Sequence, residues 1–276
     1  MRPRIVAAFA MRELRAAASA RWFLVGAGAL GLLAIAVAQL GMADAARWGV
    51  SAFDRTSASL LNLVLLFVPL LALPVGASSF ATEMEDGTLA YLVAQPVARG
   101  EIVLGKLLGL IAAMSLTITL GFGAAAVVVG ARGGVPSSTY LVLVLGAWLL
   151  SVVMVSLGAL LSLVARTRVR ATTAAIATWV TLTFLCDFGV LAAAAAQTFG
   201  PQGLFCLSIA NPLQAVKTLI ALFVSARLEI LGPVGVHAVR VFGRGGLAAV
   251  LAGSIACWTL LATVGSVMVF RRRELT

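Results

Sequence analysis

The sequence carries little charge. Its 276 residues are 62% hydrophobic and only 11% charged, and its mean hydropathy is +1.09. Soluble domains carry about 25% charged residues and have enough polar surface to cover one core. This composition excludes a large soluble helical protein and predicts an all-α integral membrane protein that crosses the bilayer several times.

Residue types that bind metals or perform catalysis are also scarce. The three cysteines, Cys186, Cys206 and Cys257, form no C-x-x-C pair, and His237 is the single histidine. A disulfide framework and a zinc site are therefore not expected. The sequence contains no G-x-S-x-G or H-E-x-x-H motif and no pair of intramembrane aspartates. We expect no catalytic residue, no metal site and no directly bound cofactor, and a Ser/Lys or lipid-transfer enzyme is the enzyme class left open.

Six apolar runs are each long enough to cross about 30 Å of hydrocarbon as a helix. They predict six transmembrane helices at 21–40, 59–80, 102–131, 140–165, 172–196 and 247–270. An A-x-A site follows the first run, but a signal peptide has an apolar region of only about 7–15 residues. The first run is therefore predicted to be a retained helix.

The basic residues divide unevenly between the two sides that these spans define. Thirteen of the twenty Lys and Arg residues fall on the side of the termini, in residues 1–21, 99–106, 166–170 and 271–273. Positive charge concentrates in cytoplasmic loops, so both termini are predicted to be cytoplasmic. Apart from Phe9, no aromatic residue lies among these charges, which argues against a nucleic-acid partner and for contact with membrane lipid.

Two segments interrupt the pattern of spans and short loops in the predicted 21–276 membrane domain, which follows an interfacial arm at 1–20. One is cytoplasmic, 81–101, and the other is extracytoplasmic, 197–246. In the outer segment, Asn211 suits an N-cap and Pro212 a first helical position. An amphipathic helix of about 14 residues is predicted there, too short to span, lying at the membrane interface or capping the bundle. Its apolar positions are Leu213, Val216, Ile220 and Phe223, and its polar positions are Gln214, Lys217 and Thr218.

The cytoplasmic segment is predicted to contain a short helix, which is too short to cross the membrane. Acidic residues precede it, where the helix dipole favours them. Leu89 to Ala94 are apolar and Pro96 ends the helix. These apolar side chains either fold back on the bundle or dock in a partner's groove.

The residues around this short helix carry a resemblance to a known family. The pattern E-x-E-x-G-T-L-x-x-L-x-x-x-P-V-x-R-x-E-x-x-x-G-K, from Glu83 to Lys106, resembles the first cytoplasmic loop of ABC-2 type permeases. Four other features are similar to the branch typified by the permease of the nitrous-oxide-reductase maturation transporter. These are R-E-L-R at 12–15, N-P-L-Q at 211–214, L-G-P-x-G at 231–235 and the basic F-R-R-R tail at 270–273.

The resemblance implies a six-span subunit that pairs with a separate ATP-binding subunit, which would bind ATP and Mg²⁺. The loop would be a coupling helix seated in that ATPase, and the arm would lie beside it. The residues implied in ATPase coupling are Arg12, Glu13, Glu83, Glu85, Asp86, Gly87, Thr88, Leu89 and Arg99. The resemblance further implies a second permease copy and a periplasmic accessory protein in copper-enzyme maturation. The chain has no Met, His and Cys cluster to carry copper itself.

Asp187 is the sharpest single candidate in the transmembrane region. It lies about 22 Å along the fifth predicted span, and an ionisable residue there suggests function. It either lines a substrate path, pairs with a basic residue of the outer segment, or is a helix-end carboxylate that reaches interfacial water. If it is functional, Asp187→Asn lowers transport while the complex still assembles.

Gly100, Gly105 and Lys106 match the G-x-x-x-x-G-K of a phosphate-binding loop. Leu107 stands where that motif requires Ser or Thr, and a transmembrane run follows, so the match is predicted to be false. Instead, Gly105 and Gly109 are predicted to let another helix approach closely, and Lys106 to extend towards lipid headgroups.

Two alternative functions remain open at this point. One is an exporter permease for a lipid, drug or other small molecule. The other is a membrane channel or assembly factor that works without an ATPase.

Overall fold

The computed structural model describes residues 2–48, 52–93, 97–131, 137–185, 188–189, 192, 200–224 and 232–272. All regular structure in these residues is helical. The helices are α1 (Pro3–Ser19), α2 (Arg21–Trp48), α3 (Ala52–Glu85), α4 (Thr88–Val93), α5 (Arg99–Gly130), α6 (Ser137–Ala165), α7 (Arg168–Val180), α8 (Pro201–Ala210), α9 (Pro212–Val224) and α10 (Gly232–Arg272). A π-helical turn, Thr181–Leu185, extends α7.

Five of the described helices contain apolar stretches long enough to cross a membrane. These stretches are Arg21–Leu40, Ser57–Glu85, Arg99–Val128, Ser138–Ala165 and Ala238–Arg272. A bent pair, Gln202–Ala210 with Pro212–Val224, would make a sixth span if it counted as one. The protein is therefore an all-α, multi-pass membrane protein, as the composition predicts.

The predicted fifth span, 172–196, lies only partly within the described residues. Its first half forms α7 and the π-helical turn up to Leu185. Helix α10 consists of two helical segments that meet at Gly243, and the predicted last span, 247–270, lies within its second segment. Gly243 interrupts α10 with a φ of 68°, a conformation that glycine adopts without steric cost.

Helices α3 and α6 make the most extensive helix–helix contact among the described residues. A Cβ added to Gly76 would lie 2.4 Å from the Val155 carbonyl oxygen, and one added to Gly158 would lie 2.4 Å from the Leu73 carbonyl oxygen. The two backbones can touch only because both positions lack a side chain. Ser162 then accepts hydrogen bonds from the amides of Phe80 and Ala81, at 3.0 and 2.8 Å.

Helices α8 and α9 bend back on each other by 108° at Asn211. Its side-chain oxygen accepts the Leu213 amide at 2.9 Å, and its side-chain nitrogen donates to the Leu182 carbonyl at 2.8 Å. Asn211 therefore begins α9, as predicted, and also joins it to the π-helical turn. Of the four predicted apolar positions, Leu213, Val216 and Ile220 are buried in the bundle, whereas Phe223 is 63% exposed.

Candidate functional site

A group of charged side chains joins three helices at the end of the bundle that carries α4. Lys106 of α5 lies 3.3 Å from a Glu13 carboxylate oxygen of α1 and 2.8 Å from a Glu83 carboxylate oxygen of α3. Arg12 lies 3.5 Å from the same Glu83 oxygen. We call Arg12, Glu13, Glu83 and Lys106 the charged junction.

Three of the four side chains of the charged junction are largely shielded from solvent, whereas Arg12 is 54% exposed. The Lys106 side chain is 3% exposed, and the Glu13 and Glu83 side chains are 16% and 15% exposed. The Lys106 ammonium also lies 5.0 Å from the centre of the Phe80 ring, within range of a cation–π contact. The prediction that Lys106 extends to lipid headgroups is therefore wrong, because two carboxylates and an aromatic ring enclose it.

Two glycines allow α1 to lie close enough to deliver Glu13. A Cβ on Gly105 would lie 2.5 Å from the Cβ of Phe9, and one on Gly109 would lie 2.6 Å from the Cβ of Glu13. The helix that approaches the G-x-x-x-G face is therefore α1. A second contact between α1 and α5 lies at the start of α1, where the Arg2 amide donates a hydrogen bond to Glu101 at 2.6 Å.

The other residues of the predicted coupling segment lie outside the charged junction. Glu85 accepts the backbone N–H of Arg168 at 3.0 Å, at the first turn of α7, where the helix dipole favours a carboxylate. Asp86, Gly87 and Thr88 are exposed. The Thr88 hydroxyl donates to the Glu83 carbonyl at 3.3 Å.

Gly87 turns the chain between α3 and α4. Its φ is 70°, and its amide donates to the Met84 carbonyl at 3.3 Å. A left-handed glycine is the common way to end a helix. The tight turn places α4 directly against the end of α3.

Helix α4 divides its apolar residues between the bundle and the outside. Leu89 is buried in the core, whereas Tyr91 is 78% exposed. The predicted helix end at Ala94 and Pro96 lies outside the described residues. Leu89 therefore folds back on the bundle, whereas docking of this helix in a partner's groove stays a prediction.

Arg99 bonds to the far end of the chain rather than to the charged junction. Its guanidinium donates to the Phe270 and Arg271 carbonyls, each at 3.0 Å. These carbonyls lie in the last described turn of α10. Arg99 thus holds the end of α10 beside the start of α5.

A family model described as "ABC-2 family transporter protein" matches residues 6–275. The chain belongs to this ABC-2 family. Two proteins, each named "Probable ABC transporter permease protein NosY", are similar to it. The one from Stutzerimonas stutzeri is 35% identical over 120 residues, 44% of either chain. The one from Pseudomonas aeruginosa is 34% identical over 125 residues, 45% of this chain and 46% of the relative. The aligned region spans less than half the length of these relatives.

Some features of this ABC-2 permease were not singled out from its sequence. Tyr91 gave no signal, because an exposed tyrosine within an apolar helix cannot be told from a buried one. The role of Lys106 could have been suspected, since an ammonium one turn inside a span needs either headgroups or carboxylates.

Asp187 lies outside the described residues. Within those residues, no group of three His, Cys, Asp or Glu could hold a metal ion.

Proposed function

We propose that this ABC-2 permease couples ATP hydrolysis, performed by a separate ATP-binding subunit that holds the ATP and Mg²⁺, to movement of its membrane helices. The observation that carries the proposal is the arrangement at the α4 end. An exposed short helix lies one glycine turn away from a buried ionic contact that links α1, α3 and α5. A push on α4 would reach three helices through a few short contacts.

The chemistry of the charged junction suits such transmission. Lys106 holds two carboxylates from different helices in a poorly solvated site, where charge-assisted hydrogen bonds are stronger than at an exposed surface. Glu83 lies two residues before the end of α3, and Glu85 bonds to the start of α7. A displacement of α4 would therefore reach α7 as well.

In this proposal the α4 end is cytoplasmic, as are both termini. The exposed basic residues of this end, Arg166, Arg168, Arg170, Arg271 and Arg272, follow the bias expected of cytoplasmic loops. A second copy of the permease would complete the pathway, and Asp187 stays a candidate for lining it.

We further propose that the transporter serves nitrous-oxide-reductase maturation, together with a periplasmic accessory protein. The support is the similarity to permeases named NosY and the sequence features described above. The chain would transmit motion or move a substrate other than free copper. Export of a lipid, drug or other small molecule is the alternative, and reconstituted transport assays would separate the two.

The coupling proposal is tested by co-purification with an ABC ATPase from an adjacent reading frame. Tyr91→Asp places a charge on the exposed face of α4 and should abolish the association. Tyr91→Phe keeps the apolar ring and should retain it. Both variants should elute as single species, because the side chain is 78% exposed. Association that survives Tyr91→Asp with normal coupled ATPase activity would rule out α4 as the docking element.

A further inference from the structure

Two adjacent cavities lie at the end of the bundle opposite α4. Their volumes are about 340 and 360 Å³, within the range of small-molecule sites. Asn62, Gln214 and Lys217 line both of them. Asn62 lies 21 residues before Glu83 along α3, about 32 Å at 1.5 Å per residue. The cavities are therefore one bilayer thickness away from the charged junction.

The polar groups of these cavities favour an anion. The Lys217 ammonium carries a positive charge and donates hydrogen bonds only, and the two amides can also donate. Thr183, in the π-helical turn, lines the first cavity. Its hydroxyl oxygen is buried and has no hydrogen-bond partner among the described residues. Within the same residues, no carboxylate lies within 4.0 Å of Lys217.

The remaining walls of the first cavity are apolar. They comprise Leu65, Leu66, Leu213, Phe184 and Phe188. Phe184 and Phe188 are 44% and 65% exposed, so this wall continues onto the apolar outer surface of the bundle. Such a wall suits a hydrocarbon chain that enters from the side.

The local backbone explains why the polar and apolar groups meet. A π-helical turn follows α7, and single π-helical turns are frequent at functional sites. Asn211 ties this turn to the start of α9. That tie sets Thr183 and Phe184 opposite the polar face of α9, which carries Gln214 and Lys217.

We propose that this pair of cavities binds an amphiphile with an anionic headgroup. Its phosphate or carboxylate lies at Lys217, between Asn62 and Gln214, and its chain lies against Leu66, Phe184 and Phe188. The site requires only the membrane-embedded chain and does not depend on coupling to an ATPase. Asp187 is not counted in it.

The test uses the full chain in nanodiscs and native mass spectrometry of the released protein. In one arm the nanodiscs contain equal amounts of phosphatidylglycerol and phosphatidylcholine. In the other arm they contain phosphatidylcholine alone, and decyl phosphate is added in solution. The first arm probes a bilayer source of the anion and the second a soluble source.

The expected result is a retained anionic amphiphile in at least one arm. Lys217→Gln should reduce its retention about tenfold, the effect of losing one charge-assisted contact. Lys217→Arg should restore it, because the positive charge returns. Arg240→Gln is the matched control, since Arg240 is an exposed cation at the same end that does not line either cavity.

A loss of retention in Lys217→Gln, in either arm, supports the site. The arm that shows the loss tells whether the amphiphile comes from the bilayer or from solution. Equal retention by the original chain and Lys217→Gln in both arms would overturn the proposal. Equal losses of retention in Lys217→Gln and Arg240→Gln would also overturn the proposal, because net charge alone would then explain the loss. The four proteins should show the same elution profile, which separates binding from misfolding.

Discussion

Lys106 stabilises the charged junction by contacting carboxylates from two different helices. Removal of one member of a buried ion pair leaves its partner's charge unpaired in a poorly solvated site. Such losses cost about 3–5 kcal/mol, whereas an exposed pair contributes roughly 0–1 kcal/mol. The two kinds of contact occur here side by side, because Arg12 approaches the same carboxylate from an exposed position.

This difference yields a prediction for two single variants. Lys106→Met should lower the thermal unfolding midpoint of the nanodisc-embedded chain by much more than Arg12→Met, because only Lys106 is enclosed. The Lys106 side chain is 3% exposed and the Arg12 side chain 54%. Equal midpoints for the two variants would mean that the junction is not an enclosed ionic contact.

The role of a single residue could be predicted from the sequence when its contact partners lie close to it along the chain. Asn211 could be assigned as a helix N-cap because its partner, Leu213, lies two residues away. The partners of Lys106 lie 93 and 23 residues earlier in the chain, at Glu13 and Glu83. No local pattern specifies contacts between such distant segments, so the Lys106 side chain was wrongly predicted to extend towards lipid headgroups.

At the scale of elements, the contact between α1 and α5 depends on two glycines. Gly105 and Gly109 lie one turn apart, against Phe9 and Glu13. A side chain at either position must push α1 outward, which would also separate Glu13 from Lys106. Helix α1 and the charged junction therefore depend on the same packing.

We predict that Gly109→Val loosens α1. Overpacking at such a contact costs about 1–3 kcal/mol, so trypsin should cleave after Arg12 and Arg15 about tenfold faster in nanodiscs. Gly123→Val in the same helix is the control, because nothing lies within 4 Å of its added Cβ position. Equal cleavage rates in the two variants would show that α1 does not rely on this contact.

Elements were predictable in proportion to their length and hydrophobicity. Four of the long apolar runs became helices close to their expected bounds. The predicted last span corresponds to the second segment of α10, whereas the helical segment before Gly243 was missed, because it includes Arg240 and does not resemble a span. The 108° bend between α8 and α9 was also missed, since bending depends on packing as well as on the turn at Asn211.

At the scale of the whole molecule, the two ends of the bundle differ in chemistry. One end has a buried ionic contact, an exposed short helix and several exposed arginines. The other has two adjacent cavities that share one lysine. The composition and basic-residue bias predicted a membrane protein with two unlike sides. The contacts that join α3 to both ends could not be predicted, because they depend on how the helices cross.

The central claim is that α4 contacts an ATP-binding subunit, and crosslinking tests it most directly. A photoreactive amino acid replaces Tyr91 in the permease co-expressed with the adjacent-gene ATPase in intact membranes. The control position is Leu141, which is 60% exposed at the opposite end of the bundle. We predict an adduct with the ATPase from position 91 and none from position 141. No adduct from position 91, or equal adducts from both positions, would contradict the proposed coupling.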